Sequence, residues 1–351
     1  MKDNVIQIGK RSVGVGRRVF IIAEAGVNHN GDIKRALKLV DAAMKAGADA
    51  VKFQTFAADR LVTRLSPKAQ YQSKTTNARE SQYEMLKKLE LSPGAHRKLK
   101  SRAEEQGLVF LSTPFDMESA DFLESLGVPA FKIGSGELTD LPLLAHIARK
   151  RKPMILSTGM STNEEVTHAV QTVQKEGLQE IVLLHCVSAY PAPKEDVNLL
   201  AMQFLRDTFI VPVGYSDHTE GIDVAVLAVA CGACIIEKHL TLDRTLAGPD
   251  HRMSLEPKDF SAMVREIRNT EKILGRWGKQ PMQSELNTRN VARKSVVALV
   301  DIKKGCPITG MMIGIRRPGS GIPPSELETL IGRKPLIGLP AGTVLDRRNL
   351  E

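Results

Sequence analysis

A short, apolar, β-branched run recurs eight times in the first 240 residues, and helical-looking stretches separate these runs. Strands that alternate with helices pair in parallel, because each crossover helix returns the chain to the same edge of the sheet. Eight such units in this length fit a closed (β/α)8 barrel of the α/β class better than an open sheet. The predicted strands are Val19–Glu24, Ala50–Gln54, Val109–Thr113, Ala130–Ile133, Met154–Ser157, Ile181–Cys186, Val211–Tyr215 and Cys234–His239.

The character of the sequence changes after the predicted barrel. A helix predicted from Pro257 to about Leu274 closes the barrel, and residues 276–292 have the polar composition of a linker. Short strands and glycine turns then predict a small β-rich domain over residues 293–351, which leaves residues 1–275 to the barrel. So small a domain buries little apolar surface, and we expect it to dock on another surface.

Composition bears on the classes of partner. The formal net charge is +9, but lysines and arginines are spread along the chain and aromatic residues make up 4%, so nucleic-acid binding has little support. The longest apolar stretch, Val224 to Ile236, is too short to cross a bilayer, and the N-terminus lacks the apolar run of a signal peptide. We therefore expect a cytoplasmic protein that binds no membrane.

The longest gap between predicted strands lies between the second and the third. Residues 61–90 are rich in Ser, Lys, Gln and Thr, so part of this gap should form a loop over the barrel mouth. A lid or specificity loop and a passive insertion are both open interpretations, and the sequence does not say whether the segment moves.

Polar side chains gather at or just beyond the C-terminal ends of the predicted strands, which is where (β/α)8 barrels place their active sites. One polar residue at a strand end would indicate little, but nearly every strand has one. In chain order these residues are Glu24, Lys52, Gln54, Thr113, Lys132, Ser135, Glu137, Ser157, Ser188, Tyr190, Ser216, His218 and His239.

One of these strand ends has the composition of a phosphate-binding turn. In Lys132-Ile-Gly-Ser-Gly-Glu137 the backbone N–H groups, the Ser135 hydroxyl and the Lys132 ammonium can all face an anion. Taken alone, the segment is an ordinary glycine-rich turn. Lys52 on the second strand and the hydroxyls of Ser157 and Ser216 converge on the same place, which favours phosphate binding.

Two histidines end neighbouring strands. His218 and His239 should lie about 5 Å apart, the spacing of adjacent strands, so that two imidazole nitrogens share one divalent metal. Without sulfur ligands, Mn²⁺ or Mg²⁺ is at least as plausible as Zn²⁺, and two structural histidines remain the alternative. Asp250 follows the last strand in Gly248-Pro-Asp250, where turn formation alone can also explain it.

The ordered motifs resemble those of the sialic acid synthase family almost from end to end. Near the C-terminus, Arg317-Pro-Gly319 falls in what resembles the family's antifreeze-like domain. The barrel motifs are Ala23-Glu-Ala-Gly-Val-Asn-His-Asn-Gly31, Val51-Lys-Phe-Gln-Thr55, Ser112-Thr-Pro-Phe-Asp116, Lys132-Ile-Gly-Ser-Gly-Glu137, Leu156-Ser-Thr-Gly-Met160, His185-Cys-Val-Ser-Ala-Tyr-Pro191, Gly214-Tyr-Ser-Asp-His218, Glu237-Lys-His-Leu-Thr241 and Gly248-Pro-Asp250.

The resemblance implies condensation of phosphoenolpyruvate with an amino-sugar aldehyde to give a nine-carbon 2-keto sugar acid and phosphate. We expect N-acetylmannosamine as the acceptor and N-acetylneuraminate as the product. The alternative is a 6-deoxy 2,4-diacetamido sugar, which gives N,N'-diacetyllegionaminate. A distant alternative from another class is a carbohydrate-binding protein without catalytic activity.

The resemblance also implies a role for each residue, and a homodimer in which the C-terminal domain of one chain caps the barrel of the other. On that basis Arg317 reaches the partner's active site. Some family members have asparagine at the position of Ser188, so the resemblance does not determine which residue contacts the sugar's amide group. The residues implied to bind phosphoenolpyruvate are Lys52, Lys132, Ser135, Ser157 and Ser216, with Thr113 nearby. Those implied to line the sugar are Gln54, Glu137, Tyr190 and Asp250. His218 and His239 would hold Mn²⁺ or Mg²⁺, and Glu24 would transfer protons to and from the reacting water.

Overall fold

The computed structural model describes residues 5–77 and 79–351, which fall into two compact units, Met1–Gly275 and Arg276–Glu351. The first unit starts with a small antiparallel hairpin of β1 (Ile6–Ile8) and β2 (Arg11–Val13). The eight strands that follow are β3 Phe20–Gly26, β4 Ala50–Thr55, β5 Val109–Pro114, β6 Phe131–Ile133, β7 Met154–Ser157, β8 Ile181–Cys186, β9 Val213–Asp217 and β10 Ile235–His239.

These eight strands form one parallel sheet that curls into a barrel. Their order is β5-β4-β3-β10-β9-β8-β7-β6, and the two end strands, β5 and β6, lie in contact at the seam. All eight predicted strands form, with ends that differ from the prediction by two residues at most. The predicted (β/α)8 barrel is therefore confirmed.

Helices follow the strands and cover the outside of the barrel. The helices of eight or more residues bury apolar side chains. Helix α8, for example, buries Val166, Ala169, Val170 and Val173, which lie at helical spacing, and a Thr162–Glu165 capping box starts it. The helices of this unit are α1 Ile33–Lys45, α2 Ala58–Leu61, α3 Gln70–Thr75, α4 Gln82–Lys87, α5 Pro93–Glu105, α6 Met117–Leu126, α7 Leu141–Ala148, α8 Asn163–Lys175, α9 Ala201–Phe209, α10 Asp223–Ala230 and α11 Pro257–Leu274, with short 3-10 turns at Lys194–Asp196 and His251–Met253.

The hairpin closes the N-terminal end of the barrel. Ile6, Ile8 and Val13 pack in one buried cluster with residues at the strand starts, among them Phe20 and Ile155. The sequence did not lead us to predict this hairpin, because each of its strands has only three residues. With this end filled by apolar side chains, the open end of the barrel is the one at which the strands terminate.

The insertion between β4 and β5 is more ordered than the predicted loop. It contains α2, α3 and α4, and a small apolar cluster of Val27, Phe56, Met85 and Leu89 lies beneath it. The Lys68 ammonium donates to the Thr76 hydroxyl at 2.9 Å. We call the segment from Ala69 to Leu89 the lid.

The second unit has its own small core. Strands β11 (Ser295–Ala298) and β12 (Ile313–Arg316) pair antiparallel, and the region predicted as a linker contains helix α12 (Leu286–Ala292) within this unit. Its 3-10 turns are Gln283–Glu285, Pro324–Leu330 and Arg347–Asn349. Its buried core side chains are Val296, Ala298, Ile302, Ile308, Ile313, Ile322, Leu330, Leu339, Leu345 and Leu350. Of all the helices within the described ranges, none combines the length and hydropathy that a bilayer crossing requires.

Candidate active site

A cavity of about 450 Å³ lies at the C-terminal ends of the barrel strands. The parallel topology brings these strand ends to one place, so polar residues far apart in sequence become neighbours. Fourteen of the fifteen predicted site residues line it, namely Glu24, Lys52, Gln54, Thr113, Lys132, Ser135, Glu137, Ser157, Ser188, Tyr190, Ser216, His218, His239 and Asp250. The fifteenth, Arg317, lies in the second unit.

Four charged side chains meet at the floor of the cavity. The Lys52 ammonium lies 2.7 Å from a Glu24 oxygen and 3.8 Å from a Glu237 oxygen, and the Lys132 ammonium lies 3.6 Å from the other Glu237 oxygen. All four side chains are buried, so each charge depends on its partners rather than on water. Glu237 was not among the predicted site residues, although strand alternation already placed it on the same face as His239.

The two carboxyls of this cluster have opposite pKa shifts. Burial raises the pKa of Glu24 to about 7, and the ion pair with Lys52 only partly offsets this effect. Burial also acts to raise the pKa of Glu237, but Lys132 and Lys52 outweigh it, so the pKa of this carboxyl is lowered. Glu237 is therefore a fixed anion at neutral pH, whereas Glu24 can gain or lose a proton.

Hydroxyl groups surround the two lysines. The Lys52 ammonium donates to Thr113 Oγ1 at 3.2 Å, and the Lys132 ammonium donates to Ser157 Oγ at 2.7 Å. Ser216 Oγ donates to Glu237 at 3.0 Å. Two cations with several hydroxyl donors around one cavity form a site suited to a phosphate.

Ser135, on the turn after β6, depends on a close approach of the Gly159 backbone. The Gly159 N–H donates to Ser135 Oγ at 3.1 Å. A Cβ atom at Gly159 would lie 2.3 Å from Ser188 Oγ and 2.8 Å from Ser135 Oγ, which real Cβ atoms do not tolerate. Glycine at this position therefore lets two predicted site residues from different strands come together.

His218 and His239 lie side by side, with ring centroids 5.5 Å apart. His218 Nδ1 donates to the Val187 carbonyl at 2.9 Å, which leaves its Nε2 lone pair free to bind. His239 Nδ1 is buried and has no hydrogen-bond partner within the described part of the chain. Burial lowers the pKa of both imidazoles, so both are neutral at physiological pH.

These two imidazoles fit a divalent metal. A neutral imidazole with a free lone pair is the form that binds metals, and a buried nitrogen without a partner is costly unless something binds it. The Asp250 carboxyl lies 3.8 Å from His239 Nδ1. Among the described residues, no group of three or more histidine, cysteine or carboxylate side chains is arranged to hold a metal, and His218 and His239 are the candidate ligands in this cavity.

The upper wall of the cavity joins the lid to the histidines. The Tyr190 ring lies 4.4 Å from the His218 ring and 4.9 Å from the ring of Tyr71, which belongs to α3. The Gly248 N–H donates to the Thr75 carbonyl at 3.2 Å, so the lid is hydrogen-bonded to the loop that carries Asp250. Tyr71 was not predicted as a site residue, because its partner Tyr190 is remote in the chain and α3 lies in a polar insertion.

Two acidic groups of this wall hold protons more tightly than usual. Burial raises the pKa of Glu137 to about 7. Burial also raises the pKa of Asp250 to about 6, against an opposing effect of Lys52. With Glu24, three carboxyls of the cavity thus titrate close to neutral pH, as is common where a site handles protons.

Comparison with known proteins gives a family for both units. The NeuB family profile matches residues 39–279, and the SAF domain profile matches residues 293–351. The chain is 49% identical over 347 residues to N,N'-diacetyllegionaminic acid synthase of Legionella pneumophila, with 98% of each chain covered. It is 48% identical over 319 residues to the protein of the same name from Campylobacter jejuni, with 90% of this chain and 96% of that one covered.

A solved structure has the same architecture. It is N-acetylneuraminic acid (sialic acid) synthetase from Leptospira borgpetersenii in complex with citrate, 37% identical, with a TM-score of 0.73, and the match covers 82% of this chain and 95% of that chain. The resemblance seen in the motifs is thereby confirmed. The chain belongs to the NeuB family of sialic and legionaminic acid synthases and is an enzyme, a transferase that forms a carbon–carbon bond with phosphoenolpyruvate.

Proposed function

We propose that this protein is an N,N'-diacetyllegionaminic acid synthase, which condenses phosphoenolpyruvate with a 6-deoxy sugar that carries acetamido groups at carbons 2 and 4. The observation that carries this proposal is the identity of nearly one half to two proteins of that name, over almost the whole chain. This acceptor replaces the N-acetylmannosamine expected from the sequence, and the alternative acceptor becomes the main proposal.

The wall formed by the lid supports such an acceptor. The amides of Gln54, Gln72 and Gln82 line the cavity, and each can both donate to and accept from an acetamido group. Met85 and Leu86 line the same cavity and offer apolar contact to methyl groups. A sugar with two acetamido groups and a terminal methyl matches this mixture of amide and apolar side chains.

Phosphoenolpyruvate would bind at the floor. Lys52 and Lys132 would pair with its phosphate, and the hydroxyls of Ser135, Ser157 and Ser216 would donate to it, with Thr113 beside Lys52. Lys132 lies 3.6 Å from Glu237 and only 2.7 Å from Ser157, so its ammonium can turn from the carboxylate toward a phosphate without losing its hydroxyl partner.

The reaction would form one carbon–carbon bond and break one carbon–oxygen bond. Carbon 3 of phosphoenolpyruvate attacks the aldehyde carbon, and the aldehyde oxygen takes up a proton. Water adds to carbon 2 and gives its proton to Glu24, whose pKa of about 7 suits a general base at neutral pH. The bond between carbon 2 and the bridging oxygen then breaks, phosphate leaves with that oxygen and the second proton of the added water, and carbon 2 becomes a ketone. The proton received by Glu24 balances the one taken up by the aldehyde oxygen.

A divalent cation held by His218 and His239, Mn²⁺ or Mg²⁺, would act as a Lewis acid on the aldehyde oxygen. Tyr190 packs on the His218 ring and would hold it in place, and Asp250 would orient the open-chain sugar near His239. Glu137, protonated at pH values below about 7, would donate a hydrogen bond to a sugar hydroxyl. These residues would fix the aldehyde beside carbon 3 of phosphoenolpyruvate.

We also propose that the enzyme is a domain-swapped homodimer that takes small-molecule substrates. In it, Arg317 of each chain would contact the acceptor in the barrel of the other. Arg317 directly follows β12 and is exposed, so its side chain can reach another surface.

A phosphate-release assay tests the proposed reaction. Purified enzyme receives phosphoenolpyruvate, Mn²⁺ and either the 6-deoxy diacetamido sugar or no sugar, and a second reaction contains water enriched in ¹⁸O. We expect sugar-dependent phosphate release, with no solvent ¹⁸O in the phosphate as read by ³¹P NMR. Release without sugar would contradict a synthase, and ¹⁸O in the phosphate would contradict cleavage of the carbon–oxygen bond.

A further inference from the structure

A fully buried ion pair lies behind the two histidines. The Lys238 ammonium lies 2.7 Å from Asp217 Oδ2, and the two side chains are 1% and 0% exposed. The same ammonium donates to the Thr219 carbonyl at 2.6 Å. Asp217 Oδ1 in turn accepts from the Thr219 N–H at 2.9 Å and from the Thr219 hydroxyl at 2.8 Å.

This ion pair lies on the opposite face of the barrel wall from the cavity. His239 and Glu237 both line the cavity, and strand alternation turns Lys238 between them to the other face. Lys238 and Asp217 are direct neighbours across β9 and β10. Neither side chain is therefore available to touch a substrate.

The connections nevertheless converge on the histidines. Lys238 binds residues 217 and 219, the two neighbours of His218, and is itself the chain neighbour of His239. One ammonium thus fixes the backbone on both sides of the first imidazole and on one side of the second. A shift of this ammonium would move the two rings relative to each other.

Stability alone is a weak reason for such a pair. Removing two charges from water is costly, and a buried ion pair is often replaced by apolar side chains of similar volume with no loss of stability. By contrast, removal of a group that does not touch the metal but orients its ligands commonly lowers metal affinity 10- to 100-fold.

We propose that Lys238 and Asp217 are positioning residues that hold His218 and His239 at the separation needed to share one divalent cation. This inference rests on the proposed metal site. Thr219 has the same role, since its carbonyl accepts a hydrogen bond from Lys238 and its hydroxyl donates one to Asp217.

Mn²⁺ binding to the full-length enzyme, measured by electron paramagnetic resonance of the free ion, tests the inference. In the double variant Asp217→Leu/Lys238→Met both charges are absent, so no unpaired charge remains buried, and we expect the Kd for Mn²⁺ to rise about 10- to 100-fold. In Thr219→Val only the hydroxyl bond to Asp217 is lost, and we expect a smaller rise of roughly 3- to 10-fold. Circular dichroism verifies that each variant is folded.

Two controls separate the possible failures. Arg268→Met breaks the 2.8 Å ion pair to Asp49, just before β4 at the other end of the barrel, and should leave the Kd for Mn²⁺ within about twofold of wild type. His239→Ala should abolish Mn²⁺ binding, and if it does not, the metal site itself is wrong. If His239→Ala abolishes binding while the double variant and Thr219→Val stay within twofold of wild type, the positioning role is wrong. If the double variant does not fold, Thr219→Val decides.

Discussion

At the scale of single residues, the cavity floor has no net charge when Glu24 is ionised. Lys52 and Lys132 carry two positive charges, and Glu24 and Glu237 can carry two negative ones, within 3.8 Å of a lysine in each case. A phosphate that enters competes with Glu237 for both lysines. Because the pKa of Glu24 is about 7, this carboxyl can adjust its proton when the charge around it changes.

Glu137 should give the enzyme a pH-dependent stability. Burial raises the pKa of Glu137 from 4.5 to about 7, so the folded protein holds this proton more tightly than the unfolded chain does. The stabilising effect of the protonated carboxyl is complete below pH 4.5 and is lost as the pH rises through about 7. Glutamine cannot titrate, so the Glu137→Gln variant lacks this loss.

Urea unfolding of wild type and Glu137→Gln at pH 5 and pH 8.5 measures the effect. We expect the unfolding free energy of the variant, minus that of wild type, to increase by roughly 1 to 3 kcal/mol between these pH values, less than the full shift because the side chain is partly exposed. Other groups titrate equally in both proteins and cancel. A difference that does not change with pH would contradict the raised pKa.

Replacement of Gly159 by alanine should disturb the cavity through a single added methyl group. In Gly159→Ala the added methyl overlaps Ser188, Cys186 and Ser135, so the Ser135 hydroxyl must move away from the phosphate site. We expect the KM for phosphoenolpyruvate to rise at least about tenfold, with a loss of roughly 1 to 3 kcal/mol in stability. Steady-state kinetics and urea unfolding measure the two effects.

Gly94→Ala is the matched control. Gly94 lies in the first turn of α5, where a Cβ would meet only the Ser92 hydroxyl at an ordinary 3.9 Å. We expect unchanged kinetics and a slight gain in stability, since alanine favours a helix over glycine by roughly 0.5 to 1 kcal/mol. If Gly159→Ala behaves like this control, the close approach at Gly159 has no role in the site.

At the scale of elements, the lid lines one side of the cavity. The ring of Tyr71 on α3 contacts the ring of Tyr190, and the Thr75 carbonyl accepts from the Gly248 N–H in the loop that carries Asp250. The lid thus contacts the wall that we assign to the sugar, while the lysines assigned to phosphate lie below on β4 and β6. Changes in the lid should therefore affect the two substrates differently.

Tyr71→Ala tests this separation. Loss of the ring removes the aromatic contact of Tyr71 with Tyr190. We expect the KM for the acceptor sugar to rise at least about tenfold while the KM for phosphoenolpyruvate stays within about twofold. Tyr83→Ala is the control, because Tyr83 lies on α4, contacts Asp59 and does not line the cavity. Equal effects of the two variants on the acceptor KM would contradict a specific role for Tyr71.

The barrel was predictable because its signal is local and repeated. β-branched runs such as Ile181–Cys186 form strands wherever both faces become buried, and polar residues at their ends meet because parallel strands all end on one side. The hairpin β1–β2 and the helices of the lid were not predicted. Their sequences are short or polar, and they are stabilised by contacts with remote parts of the chain.

The same limit applies to the site. Lys132, Ser157 and His239 could be named from their strand ends, since backbone topology alone brings them together. Glu237 became important only through its distances to Lys52 and Lys132, and a salt bridge between strands cannot be read from one sequence. The distances between oppositely charged side chains, rather than the residue types alone, distinguish the buried charge cluster from an ordinary polar strand end.

At the scale of the whole molecule, the proposed domain-swapped dimer predicts how much activity returns when two inactive variants are mixed. Arg317→Ala should be inactive because each barrel lacks its arginine, and Lys132→Ala should be inactive because each barrel lacks its phosphate ligand. If the chains exchange at random, half of the dimers are mixed, and each mixed dimer has one intact site, so about a quarter of wild-type activity should return.

Mixing Lys132→Ala with His239→Ala provides the control. Both changes lie in the barrel, so no combination of these chains produces an intact site and no activity should return. Recovery in this control, or no recovery with Arg317→Ala, would contradict the sharing of Arg317 between two chains.

The central claim, the identity of the acceptor, is tested most directly by competition in a single reaction. The wild-type enzyme receives phosphoenolpyruvate, Mn²⁺ and equal concentrations of N-acetylmannosamine and the 6-deoxy 2,4-diacetamido sugar. Mass spectrometry measures the two products while only a small fraction of either sugar has reacted. The product ratio equals the ratio of the two kcat/KM values. We predict an excess of N,N'-diacetyllegionaminate of about tenfold or more; an excess of N-acetylneuraminate would contradict the account.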